Sequence, residues 1–160
     1  MTSNREIQEA SLSEVLAARP VNVLQACLLQ LFSAVMTGVT TVNGYDYYVE
    51  MGALLGQATG SFNQFIASRA MSVLVALLLA WLFYQGKNWA RIVFVAFFVV
   101  NVVLMAWGIS TAGTQMFASL NSLDLCINLL QLLISFVVSC LLWTRKSSAW
   151  FLEVKRLRAS

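Results

Sequence analysis

The side chains able to do chemistry in this chain are few, and almost all of them interrupt long apolar stretches. Asn121, Asp124, Asn128, Gln131, Ser135 and Ser139 recur at steps of three and four, which places them on one face of a helix. Asn22, Gln30, Ser33 and Thr37 make a second, weaker row, with Gln25 near by, and Asn101 stands alone in a third stretch. Arg69 lies among apolar residues in a fourth. Lipid penalises such groups, so these faces are expected to point at one another inside a bundle. There they serve either as interhelical hydrogen bonds, worth about 0.6 kcal/mol each on average, or as the lining of a solute path or binding pocket.

Arg69 and Asp124 are the charged members of this set. Arg at a helix centre costs about 2.5–3.5 kcal/mol on insertion scales. Arg69 is placed about 10 Å below one membrane face at 1.5 Å per residue, and Asp124 enters from the same face. Their matched depth predicts an ion pair with Asn128 close by. The alternative is that Arg69 snorkels outward to Glu50 or to headgroups. Gly52, Gly56 and Gly60 follow small-xxx-small spacing, which lets helix backbones approach closely. They form either a helical extension of the second apolar stretch or a flexible loop.

Catalytic, cofactor and metal chemistry are not expected. The chain has no His, which removes the commonest general base and metal ligand. Cys27, Cys126 and Cys140 fall in no metal-binding spacing and read as small apolar fillers. No Ser or Cys has an evident base near it in sequence.

The elements that must position these groups follow from composition. Of 160 residues, 59% are apolar and 11% charged, and the mean hydropathy is +0.76. A soluble domain carries about 45–50% apolar and about 25% charged residues, so this chain lacks the charge to wet a surface. The net charge of +3 is too small to point to nucleic acid. Four stretches, about 21–42, 62–84, 89–109 and 121–143, approach or exceed the ~20 residues a helix needs to cross a bilayer. Backbone groups in lipid must be satisfied internally and the stretches do not alternate, so helices are expected rather than a barrel. The expected fold is all-α: a single polytopic membrane domain, an antiparallel bundle of four transmembrane helices. A short arm, 1–20, precedes it and a basic tail, 144–160, follows. The first stretch is long and has no small-residue cleavage site behind it, so it reads as a retained span rather than a signal peptide.

Charge sets the orientation. Arg5, Arg19, Lys87, Arg91, Arg145, Lys146, Lys155, Arg156 and Arg158 all fall on one side of the four stretches. The positive-inside rule then puts both termini in the cytoplasm. The tail, with Trp150, Phe151 and Leu152 among its cations, either lies on the inner leaflet or frays as a topology anchor. Tyr45, Tyr47 and Tyr48 in the outer loop read as an interfacial belt or as a partner-contact patch. The four-residue connection Gln85-Gly86-Lys87-Asn88 forces its two flanking spans to be antiparallel neighbours.

The pair Arg19-Pro20 before the first span, and Gly86-Lys87-Asn88-Trp89-Ala90-Arg91 between the second and third, resemble a group of small bacterial four-helix inner-membrane proteins. The resemblance implies a bacterial inner-membrane location and the four-helix fold, and no activity. With no enzyme chemistry in evidence, the expected function is binding: an accessory subunit, regulator or immunity-type protein with a membrane-protein partner, or self-association. The alternative is an oligomeric channel or transporter for a small solute or ion, with the polar face of the fourth span and Arg69 along its path.

Overall fold

The computed structural model describes residues 2–54, 61–112 and 122–159, and among these every regular element is an α-helix. The helices are α1 (Thr2–Ala17), α2 (Val21–Asn43), α3 (Tyr45–Leu54), α4 (Phe62–Tyr84), α5 (Asn88–Ala112), α6 (Ser122–Leu142) and α7 (Arg145–Ala159). Three of them, over Val21–Thr41, Phe62–Tyr84 and Asn88–Ser110, are long and apolar enough to cross a membrane. Cys126–Leu142 supplies a fourth when taken with Arg145–Ala159, from which it is bent by 63°. The 21 residues of α6 extend about 31 Å at 1.5 Å each, close to the thickness of a hydrocarbon core.

Local chemistry explains the boundaries. Pro20 precedes α2 in extended geometry, which suits a residue without an N–H at a helix start. Ser61 opens α4 with a capping box: the Ser61 amide donates to Gln64 Oε1 at 3.1 Å and the Gln64 amide to Ser61 Oγ at 3.4 Å. Two otherwise orphaned donors are satisfied this way. Gly86 turns α4 into α5 with φ +71°, a conformation that side chains disfavour. Gly44 separates α2 from α3. The glycine series therefore does not begin as part of α4: Gly52 sits in α3, while Gly56 and Gly60 lie outside the described residues.

Side-chain contacts fix which helices are neighbours. Cys27 Sγ donates to the Ala80 carbonyl at 3.5 Å, while Tyr45, the first residue of α3 just past the far end of α2, places its ring 5.6 Å from that of Phe65 near the start of α4. Thus α2 runs against α4. Asn22 Nδ2 donates to Thr144 Oγ1 at 3.0 Å and Gln131 Nε2 to Thr37 Oγ1 at 3.1 Å, so α6 runs against α2 on its other side. The main core gathers where the start of α2, the end of α4, the start of α5 and the end of α6 meet. Val23, Phe83, Val138 and Leu142 are fully buried there.

The tail completes that end. It forms α7, and Trp150, Phe151 and Val154 are buried in the core rather than turned outward. Trp150 Nε1 donates to the Val15 carbonyl of α1 at 2.8 Å, and Arg158 reaches the Gln85 carbonyl at 2.5 Å. A Cβ on Gly86 would meet Trp150 and Val154 at 3.0 Å, which shows how closely α7 covers the turn.

Candidate functional site

Beyond this core α2 stays packed between α4 and α6, while α5 touches its neighbours less. A partly open cleft of about 600 Å³ lies among α2, α4, α5 and α6. Its walls are apolar where α4 contributes Met71, Val75 and Leu79, and where α5 contributes Phe94, Phe97 and Leu104. Gln30, Ser33, Ser72, Asn101, Asn128, Gln131 and Ser135 supply the polar part.

Four of the residues picked out by sequence converge here. Ser33, Asn101, Asn128 and Gln131 all line the cleft, and Thr37 is joined to it through the hydrogen bond from Gln131. The helical period accounts for this: residues 128, 131 and 135 share one stripe of α6, residues 30, 33 and 37 one stripe of α2. Arg69 does not line the cleft. It is half-buried, with its guanidinium 5.3 Å from the ring centre of Phe65, one turn earlier on its own helix. Asp124 belongs to α6, but its side chain, and with it the expected ion pair, lies outside the described residues.

Most polar groups of the cleft are already engaged. Ser72 Oγ donates to the Ser68 carbonyl at 3.0 Å, and Ser135 Oγ to the Gln131 carbonyl at 2.9 Å. Asn101 Nδ2 donates to the Phe97 carbonyl at 3.0 Å. These bonds to the preceding turn are how Ser and Asn are tolerated inside apolar helices. Gln30 is the buried member of the lining for which this is not so. It is 7% exposed, faces the cleft and has no side-chain hydrogen-bond partner among the described residues. Sequence places Gln30 in the α2 row, but periodicity does not reveal which member of a row lacks a partner.

Among the described residues, none of the lining is ionisable. The described lining offers an ion no opposite charge in exchange for its hydration. The arrangement suits neutral groups that exchange hydrogen bonds with carboxamides.

A second buried polar group lies at the core end. Arg91 is 4% exposed. Its guanidinium donates to the Leu142 carbonyl at 2.9 Å and to Ser148 Oγ at 3.3 Å, and it also bonds Asn88 Oδ1. The Phe151 ring centre is 4.3 Å away and that of Trp143 5.0 Å. Sequence gives Arg91 a role in orientation. The structure shows that it also holds the end of α6, where free carbonyls and the helix dipole favour a cation. Arg19 plays a related part, lying 3.6 Å over the ring centre of Tyr84. No family model, no curated protein and no solved structure matches the chain.

Proposed function

We propose that this is a bacterial inner-membrane protein, an antiparallel bundle of four spans with both termini in the cytoplasm. Its work is to bind a second membrane-embedded protein, or another copy of itself, without chemistry of its own. The orientation is supported by nine cationic residues on one side and by the meeting of α1, α7 and the α4–α5 turn at one end.

The observation that carries the binding role is α5. Its neighbours cover little of it: Phe97, Val100, Asn101 and Leu104, at i, i+3, i+4 and i+7, are all exposed. Lipid can cover the apolar members of this stripe. Asn101 is different, because its Nδ2 is bonded within the helix while a carboxamide oxygen can accept two further hydrogen bonds. Polar groups on transmembrane faces are a recurrent means of helix–helix association. Photo-crosslinking from Val100→benzoylphenylalanine in native membranes tests the reading. A discrete crosslinked product, absent from the same substitution at Trp89 near the membrane boundary, is expected. Crosslinks to lipid alone, together with a monomer that purifies alone in mild detergent, contradict it.

A further inference from the structure

We infer that the cleft among α2, α4, α5 and α6 binds a neutral, lipid-soluble molecule whose head carries carbonyl oxygens, such as a quinone ring or a glyceride ester. The Gln30 carboxamide is the group that recognises this head. The inference goes beyond the partner reading and does not depend on it, although Phe97, Asn101 and Leu104 belong both to the exposed stripe of α5 and to the cleft lining.

Gln30 carries the argument. A carboxamide offers two N–H donors and an acceptor oxygen, and leaving these unmet in a buried site is unfavourable. Gln30 is more than nine-tenths buried and faces the cleft, yet nothing among the described residues bonds its side chain. Around it, Ser72, Ser135, Asn101 and Gln131 have directed their donors elsewhere. Asn128, exposed on the lining, has no side-chain partner among the described residues either. The unmet donors of Gln30 and Asn128 call for acceptor oxygens.

The rest of the lining sets the ligand class. The absence of ionisable groups among the described lining residues favours a head without charge. Phe94 and Phe97 offer apolar aromatic surface, Leu79 and Leu104 aliphatic surface. A volume of about 600 Å³ falls within the roughly 300–1,000 Å³ typical of small-molecule sites. It accommodates a small head together with part of a hydrocarbon tail. The cleft lies within helices apolar enough to span a membrane, so such a molecule would enter from the bilayer.

The test uses the full chain in phosphatidylcholine nanodiscs, titrated separately with decylubiquinone and dioctanoylglycerol, with bound ligand counted by native mass spectrometry and Tm recorded. Saturable binding of one molecule per chain is expected for at least one of the two. Decylubiquinone alone assigns the site to a ring carbonyl, dioctanoylglycerol alone to an ester carbonyl, and both together to the shared carbonyl chemistry. Gln30→Leu should weaken the bound ligand about tenfold, the order of one net hydrogen bond. The same substitution should leave the unliganded Tm unchanged or raise it, because it removes a carboxamide that no protein group bonds. Ala76→Phe, which fills the cleft, should abolish binding. The inference is overturned if neither molecule saturates. It is also overturned if Gln30→Leu binds as wild type does, or if that substitution lowers unliganded Tm and affinity together.

Discussion

Arg91, at the start of α5, donates a hydrogen bond to the backbone carbonyl of Leu142, the last residue of α6, at 2.9 Å. One guanidinium thereby joins the α4–α5 hairpin to the bend between α6 and α7. A planar fork of donors can serve Leu142, Ser148 and Asn88 together, while Phe151 and Trp143 lie near enough for cation–π attraction.

Removing that group should be costly. Arg91→Leu is expected to destabilise the protein by about 1.5–3 kcal/mol, the worth of a hydrogen bond to a charged group. Arg91→Lys should recover only part of it, since a single ammonium lacks the fork. Unfolding by sodium dodecyl sulfate titration in mixed micelles measures both. A wild-type midpoint for Arg91→Leu would show that the residue serves orientation alone.

Gly86→Ala should lower stability by about 1–3 kcal/mol. Its φ of +71° is unfavourable for a residue with a Cβ, and that Cβ meets Trp150 and Val154 at 3.0 Å. Adding Val154→Ala relieves one contact and leaves the backbone strain. The double variant is therefore expected to regain part, not all, of the loss in the same titration.

Trp150→Phe keeps most of the buried ring and loses the donor to the Val15 carbonyl. The expected cost is about 0.5–1.5 kcal/mol, and it should fall on the hold between α7 and α1. Limited proteolysis of detergent-solubilised protein should cut the α1 segment faster in the variant, with the four long helices protected as before. Unchanged cleavage would mean that apolar contact alone retains α1.

The bond from Gln131 to Thr37 tests whether the polar faces of α2 and α6 hold together. A double-mutant cycle with Gln131→Leu and Thr37→Val should give a coupling of about 0.6 kcal/mol, the average for such bonds in membranes. Zero coupling would assign these residues to the cleft and not to helix association.

A tag fused after Ser160 should react with a membrane-impermeant reagent only once cells are permeabilised. Reaction in intact cells would reverse the proposed orientation, and with it the placement of Arg91 and α7 at the cytoplasmic end.

The long helices were legible because bilayer thickness dictates length: the stretch beginning at Phe62 and ending at Tyr84 is α4 without adjustment, and the others shift by at most three residues at either end. Helical period puts Ser33 on the row of α2 and Asn128 and Gln131 on that of α6, and the structure sets these with Asn101 along one cleft, Asn101 and Asn128 remaining exposed. The fate of the tail was not legible. Trp150, Phe151 and Val154 form an apolar face that meets either lipid or protein equally well by local pattern, and only long-range contact with α1 and Gly86 decides it. Arg91 was opaque for a related reason, since a cation that marks sidedness and one that binds a helix end look the same in sequence. Helix formation over Tyr45–Leu54 was hidden by its glycine and by its shortness.

The core residues cluster where α1, α7 and the α4–α5 turn come together, and the cleft opens away from them. The buried apolar side chains are thus massed at one end, while toward the other α2 meets α6 through the Gln131–Thr37 bond and Tyr45 packs against Phe65 of α4.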